Sequence, residues 1–156
     1  MERVGLDTSR LTLWAVTARN NIWGVVEIKN AKLFQGLPES EVKSIERTMK
    51  TVKHAAGHEI IVRGDSGVGF MVIKDGTVTV KTIQGKSRKL GPGDSFGEMA
   101  LLDHEGRSAT ITADTDVTLA AVPEWNFKAF LKEHPEVTYR LLQVLSQRVR
   151  QAEGPV

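Results

Sequence analysis

The chain contains no cysteine, which excludes disulfides and thiolate-held metal at the outset. No apolar run approaches the roughly 18 residues a membrane-spanning helix needs. The first ten residues, MERVGLDTSR, are too charged for the apolar core of a secretory leader. Aromatic residues are scarce at 6%, and the net charge is only +2 despite a pI near 9.0. A basic, aromatic-studded nucleic-acid surface is therefore not indicated. No His-x-His pair occurs anywhere, which removes the ligand pattern of a metal-dependent jelly-roll enzyme. His54 and His58 lie four apart around Gly57 in a turn context, a poor metal site. These absences lead us to expect a cytoplasmic, non-enzymatic chain that holds no metal, uses no cofactor and binds no nucleic acid.

What is present is the composition of one ordinary globular domain: 156 residues, 40% hydrophobic and 26% charged. Three textures follow one another. In PESEVKSIERTMKTV, Val42, Ile45, Met49 and Val52 fall at three- and four-residue intervals behind Pro38, one face of a helix. Ahead of it, LTLWAVTARNNIWGVVEI has no clean period and reads as a helical arm whose Trp14 and Trp23 must pack on something. From about residue 51 to 122, short β-prone runs (EIIV, FMVI, TVTVKTI, SATITA, VTLAAV) are cut by turn signals at 8–12-residue spacing. Asp75-Gly76, between FMVIK and TVTVK, reads as a two-residue hairpin turn. After Pro123 the helical texture returns. PEWNFKAFLKEH stops near Pro135, and PEVTYRLLQVLSQRVRQAEG carries Val137, Leu141, Leu145 and Val149 on one stripe, with Leu142 beside it. That stripe reads as core or as a homodimer seam. Lys81, Lys86, Arg88 and Lys89 in KTIQGKSRKL read as a solvated basic hairpin.

Residues 96–110, FGEMALLDHEGRSAT, place an acid and a base at the two ends of one short loop, which suits a ligand with two different polar ends. Gly97 lets the backbone approach closely, and the short segment after it offers unpaired N–H groups to an anion. Glu98 is an acceptor-only carboxylate, suited to a hydroxyl such as a ribose 2′-OH. Arg107 presents a planar fork of donors suited to phosphate, and Ser108 adds further donors. Met99, Leu101, Leu102 and Ile111 are the apolar residues that would exclude water. No nucleophile with its base is present.

FGEMALLDHEGRSATITA resembles the phosphate-binding cassette of the cyclic-nucleotide-binding domain family, which includes the catabolite activator protein, protein kinase A regulatory subunits and cyclic-nucleotide-gated channels. IIVRGDSGVGFMVIKDG resembles the family's glycine-punctuated strand pair. The resemblance runs from about Leu33 to Ala152. It implies a mainly β fold with flanking helices, a β-roll or double-stranded β-helix jelly roll with N-terminal helices and C-terminal lid helices. The implied organisation is an N-terminal helical arm at 1–32, the binding domain at 33–152 and a tail at 153–156. The implied function is a regulatory, allosteric sensor of a cyclic nucleotide, cyclic AMP ahead of cyclic GMP, acting on an unknown protein effector. The resemblance implies ligand contacts at Phe96, Gly97, Glu98, Met99, Ala100, Arg107, Ser108 and Ala109. It also implies a pocket wall drawn from Val62, Met71 and Leu101, and a base cap from Leu145 or Arg148. The helix-turn-helix that follows the lid helix in the catabolite activator protein has no counterpart here, so DNA binding of that kind is not expected. A ligand-free interaction scaffold of the same fold is the alternative.

Overall fold

The computed structural model describes residues 26–61, 69–105 and 108–154. Expectations that fall on Trp14, Trp23 and the rest of the arm before Val26, on Val62 and on Arg107 lie outside the described residues. A 3-10 turn at Ile28–Asn30 leads to helix α1 (Glu39–Thr48), which opens after Pro38 with Glu39 and Glu41 in its first turn and buries Val42 and Ile45. Early carboxylates complement the positive end of the helix dipole. The apolar spacing carried this helix on to Val52. In the structure Met49 is already extended, and residues 50–54 form a strand in which Val52 sits opposite Leu119. Strand pairing outweighs a local helical period that β-branched Thr51 and Val52 support weakly.

Eight strands make two antiparallel four-stranded sheets: β1 (Lys50–His54), β2 (Glu59–Ile61), β3 (Gly69–Asp75), β4 (Val78–Thr82), β5 (Ser87–Leu90), β6 (Ser95–Phe96), β7 (Ala109–Ala113) and β8 (Val117–Pro123). One sheet runs β1-β8-β3-β6 and the other β2-β7-β4-β5, the jelly roll expected from the sequence. Asp75-Gly76 is not a hairpin turn. β3 and β4 belong to different sheets, so this dipeptide is a corner where the chain changes layer. Gly76 has φ +88°, and a Cβ there would lie 2.3 Å from the Asp116 carbonyl oxygen. The glycine signal for a sharp turn was sound; the hairpin partner of β4 is β5, across the Thr82–Lys86 turn, and its other neighbour is β7.

Alternation along β3 and β8 explains why both strands read as nearly unbroken apolar runs. Met71, Ile73, Leu119 and Ala121 face the space between the sheets, with Val78, Val80, Phe96 and Ile111. Phe70, Val72, Ala120 and Val122 face the other way, into a helical layer. That layer contains α1, α3 (Glu124–Glu133) and α4 (Pro135–Glu153), and it buries Phe34, Ile45, Phe127, Phe130 and Leu141. A six-residue helix, α2 (Glu98–Asp103), follows β6 directly. Of the α4 stripe, Val137 and Leu141 are core, whereas Leu142 and Val149 are more than half exposed.

Candidate functional site

β6 pairs with β3, Phe96 opposite Met71, which fixes the entry to α2. Gly97 then turns through the left-handed region, φ 94°, a conformation glycine adopts without a Cβ penalty. The turn delivers Glu98 into the protein, 1% exposed. Its Oε1 is held by Arg148 Nη1 of α4, in a short ion pair. The second guanidinium nitrogen, Nη2, donates to the Ser95 carbonyl at 3.0 Å. Glu98 Oε2 is buried with no hydrogen-bond partner. A buried carboxylate oxygen without a donor is costly, and such groups are rare in native proteins. Such an oxygen can accept a hydrogen bond from a hydroxyl or N–H that reaches it.

Around it lies a cavity of about 60 Å³. Phe96, Gly97, Glu98, Met99, Ala100, Ser108 and Ala109, all singled out from the sequence, line it together. The Ser108 hydroxyl lies 3.7 Å from the Met99 sulfur. A larger groove of about 620 Å³ shares Met99, Ser108, Ala109 and Arg148 with the cavity and continues between Leu102 of α2 and Leu145, Val149 and Ala152 of α4. The walls of the groove are largely apolar, and the smaller chamber concentrates the charge.

Three expectations change. Met71 is buried between the sheets and does not line the cavity, because the period-2 alternation of β3 turns it toward Ile73 and Leu119. Leu101 is not on the cavity wall either: it points from α2 into the helical core. Arg148, expected over a base, is instead turned inward onto Glu98.

The sequence reading missed Arg88, which it assigned to a solvated hairpin. Arg88 lies on β5 and lines both the cavity and the groove. Burial of part of the side chain, although the residue as a whole is exposed, lowers its pKa from the ordinary guanidinium value. Neighbouring Arg148 lowers it further, and Glu98 and Asp94 act against both. Its guanidinium makes no hydrogen bond or ion pair with a described residue. Its orientation follows from the ladder: Arg88 sits opposite buried Val80 and two residues before buried Leu90, on the inward face, whereas Lys89 pairs with Thr79 on the other face. The described part of the cavity thus carries one carboxylate and two guanidiniums, a balance suited to an anion that also bears a hydroxyl.

His54 and His58 stack at 4.6 Å and 9°. Among the described residues, no group of three or more His, Cys, Asp or Glu side chains is placed to hold a metal ion, and no helix is long and apolar enough to cross a membrane.

Residues 51–134, more than half the chain, match the model of the cyclic nucleotide-binding domain. The cyclic AMP receptor protein of Thermus thermophilus is 32% identical over 131 residues, 81% of this chain and 61% of the relative. A cGMP-dependent protein kinase of Eimeria tenella is 34% identical over 129 residues, 82% of this chain and 12% of the kinase. The crystal structure of the Thermus thermophilus catabolite activator protein superposes with TM-score 0.70 at 33% identity, covering 78% of this chain and 59% of that one. The chain spans about 60% of the length of the CRP-type regulators it matches.

Proposed function

Because the chain belongs to the cyclic nucleotide-binding domain family, whose domains are regulatory rather than catalytic, we propose that it is a sensor module for a cyclic purine mononucleotide, with cyclic AMP preferred. The observation that carries this reading is the unpartnered Glu98 Oε2 facing the cavity. In the proposed complex that oxygen accepts the ribose 2′-OH, while Arg148 keeps Oε1. Ser108 contributes to the cyclic phosphate, with Arg107 as its principal partner. The base enters the apolar groove beside Met99, Leu102 and Leu145. Occupancy shifts the population of arrangements of α4, whose Arg148 contacts the ribose-binding carboxylate, and so reaches a protein effector. The shift is bounded by the difference in ligand affinity between the two arrangements.

A second reading, cyclic GMP, is favoured by Arg88. A guanidinium offers only donors. The Hoogsteen edge of guanine presents two acceptors, O6 and N7, whereas adenine places an amino donor beside N7. The cGMP-dependent protein kinase among the relatives supports keeping this reading. Titration calorimetry against cyclic AMP, cyclic GMP and linear AMP tests both. Binding of neither cyclic nucleotide, together with no thermal stabilisation by either, leaves the ligand-free scaffold.

A further inference from the structure

The corner between α3 and α4 is a single residue, His134, which the binding site does not use. Its backbone, φ −127° and ψ 69°, departs from helix before Pro135 starts α4. The main chain is fully engaged: the amide donates to the Phe130 carbonyl at 3.0 Å, and the carbonyl accepts from Thr138 N at 3.0 Å and Thr138 Oγ1 at 3.2 Å. The ring, in a residue only 3% exposed, lies 5.0 Å from that of Phe130. Neither Nδ1 nor Nε2 has a hydrogen-bond partner. A neutral imidazole carries one N–H and one lone pair, and here both go unsatisfied in a buried place.

The ring does have a direction. Nδ1 faces Glu41 Oε1 on the first turn of α1 at 3.6 Å, just beyond hydrogen-bond reach. Among the described residues, Glu41 is the one carboxylate within 4.0 Å of the ring nitrogens. The neighbouring charges on α3 and α4, Lys132, Glu133 and Glu136, are exposed. Arg140 is committed to the Leu33 and Gln35 carbonyls.

We propose that His134 is a proton-operated fastener: protonation closes Nδ1–H onto Glu41 and ties α1 to the α3–α4 corner. Protonation makes both ring nitrogens donors and supplies a charge partner where water is largely excluded, which strengthens the attraction. Loss of the proton returns the corner to an unpaired ring beside a carboxylate. α4 leaves this corner and carries Leu145 and Arg148 to the groove and cavity, so fastening its first turn biases the position of its far end. By linkage, proton uptake at the corner and occupancy of the cavity influence one another reciprocally.

The test begins with ligand-free protein, so it does not depend on the sensor reading. Imidazole 15N spectra from about pH 8 down to about pH 5, the range in which histidines titrate, separate His134 from His54, His58 and His104. At the acid end both His134 nitrogens should carry protons, and the Nδ1–H signal should be protected from solvent exchange. Glu41→Gln, a near-isosteric change at a half-buried site, should abolish that protection. Spin labels on α1 and on the exposed face of α4 should show a narrower distance distribution in acid for the wild type and no pH response in Glu41→Gln or His134→Asn. A His134 still neutral at the acid end, or an unaltered response in Glu41→Gln, overturns the proposal. The dissociation constant for cyclic AMP should then change several-fold across the same range in the wild type and stay flat in Glu41→Gln. Absence of any nucleotide binding would count against the sensor reading alone, because the spectra decide the fastener.

Discussion

Replacing Glu98 by glutamine keeps the shape of the side chain and removes its charge, so the loss can be apportioned. In stability, breaking a buried ion pair by removing one partner costs about 3–5 kcal/mol when the survivor is trapped. Arg148 is not trapped: its side chain is 20% exposed and it keeps the Ser95 carbonyl, so about 1–2 kcal/mol is expected, with access to water offsetting the rest. In binding, a hydroxyl donating to a carboxylate contributes about 1.5–3 kcal/mol and one donating to a neutral amide oxygen about 0.5–1.5 kcal/mol. The difference, about 1–2 kcal/mol, is a roughly 5- to 30-fold weaker dissociation constant. A change in the cavity's net charge acts on the phosphate as well, so affinity for cyclic AMP alone is ambiguous. Pairing the substitution with 2′-deoxy cyclic AMP removes the ambiguity, because the deoxy ligand lacks only the group in question. Calorimetry over the four combinations should give a coupling of about 1–2 kcal/mol between Glu98 and the 2′-hydroxyl. Equal penalties for the deoxy ligand in the wild type and in Glu98→Gln would refute a ribose contact at Oε2.

Arg88→Ala should weaken cyclic GMP more than cyclic AMP, changing the ratio of their dissociation constants by roughly 5- to 50-fold; a constant ratio in competition binding would exclude Arg88 from reading the base. Gly76→Ala meets the Asp116 carbonyl at 2.3 Å with φ at +88° and should destabilise by about 2–4 kcal/mol in urea titration. Leu141→Ala, at 3% exposure in the helical core, should cost about 2–5 kcal/mol by the same assay. The pKa of His54 is lowered first by burial and then by the stacked His58. The unfolded chain therefore takes the proton first, and the stability in question is full above about pH 6.5. It is lost as pH falls through the folded value. His54→Gln should flatten this acid limb in urea titrations at about pH 7.5 and about pH 5.

β3 and β8 were legible as the β-prone runs FMVI and VTLAAV, and their apolar residues at consecutive positions are what strands covered on both faces require. The end of α1 was not legible, since Val52 satisfies a helical interval and its strand partner Leu119 is far away in sequence. The hairpin arm β5 was legible in KTIQGKSRKL, but the inward turn of Arg88 was not, because Ser87, Arg88 and Lys89 carry no apolar alternation. The pairing of β5 with Val78–Lys81 makes it a strand and turns Arg88 toward the cavity. At the site, Gly97, Glu98 and Ser108 were legible because their chemistry is local to one loop. The ion pair of Glu98 with Arg148 joins residues fifty positions apart and depends on how α4 packs, which spacing within either segment does not encode.

The place of β8 between β1 and β3 has a consequence for how the protein is made. Neither neighbour pairs with the other, so the first sheet has no middle until residue 117 has been synthesised. Until then the growing chain exposes the edges of β1 and β3 to any passing strand. Maturation should therefore be all-or-none and comparatively slow, governed by long-range closure rather than by its helices. A truncation that removes β8 should yield an aggregation-prone fragment instead of a smaller domain.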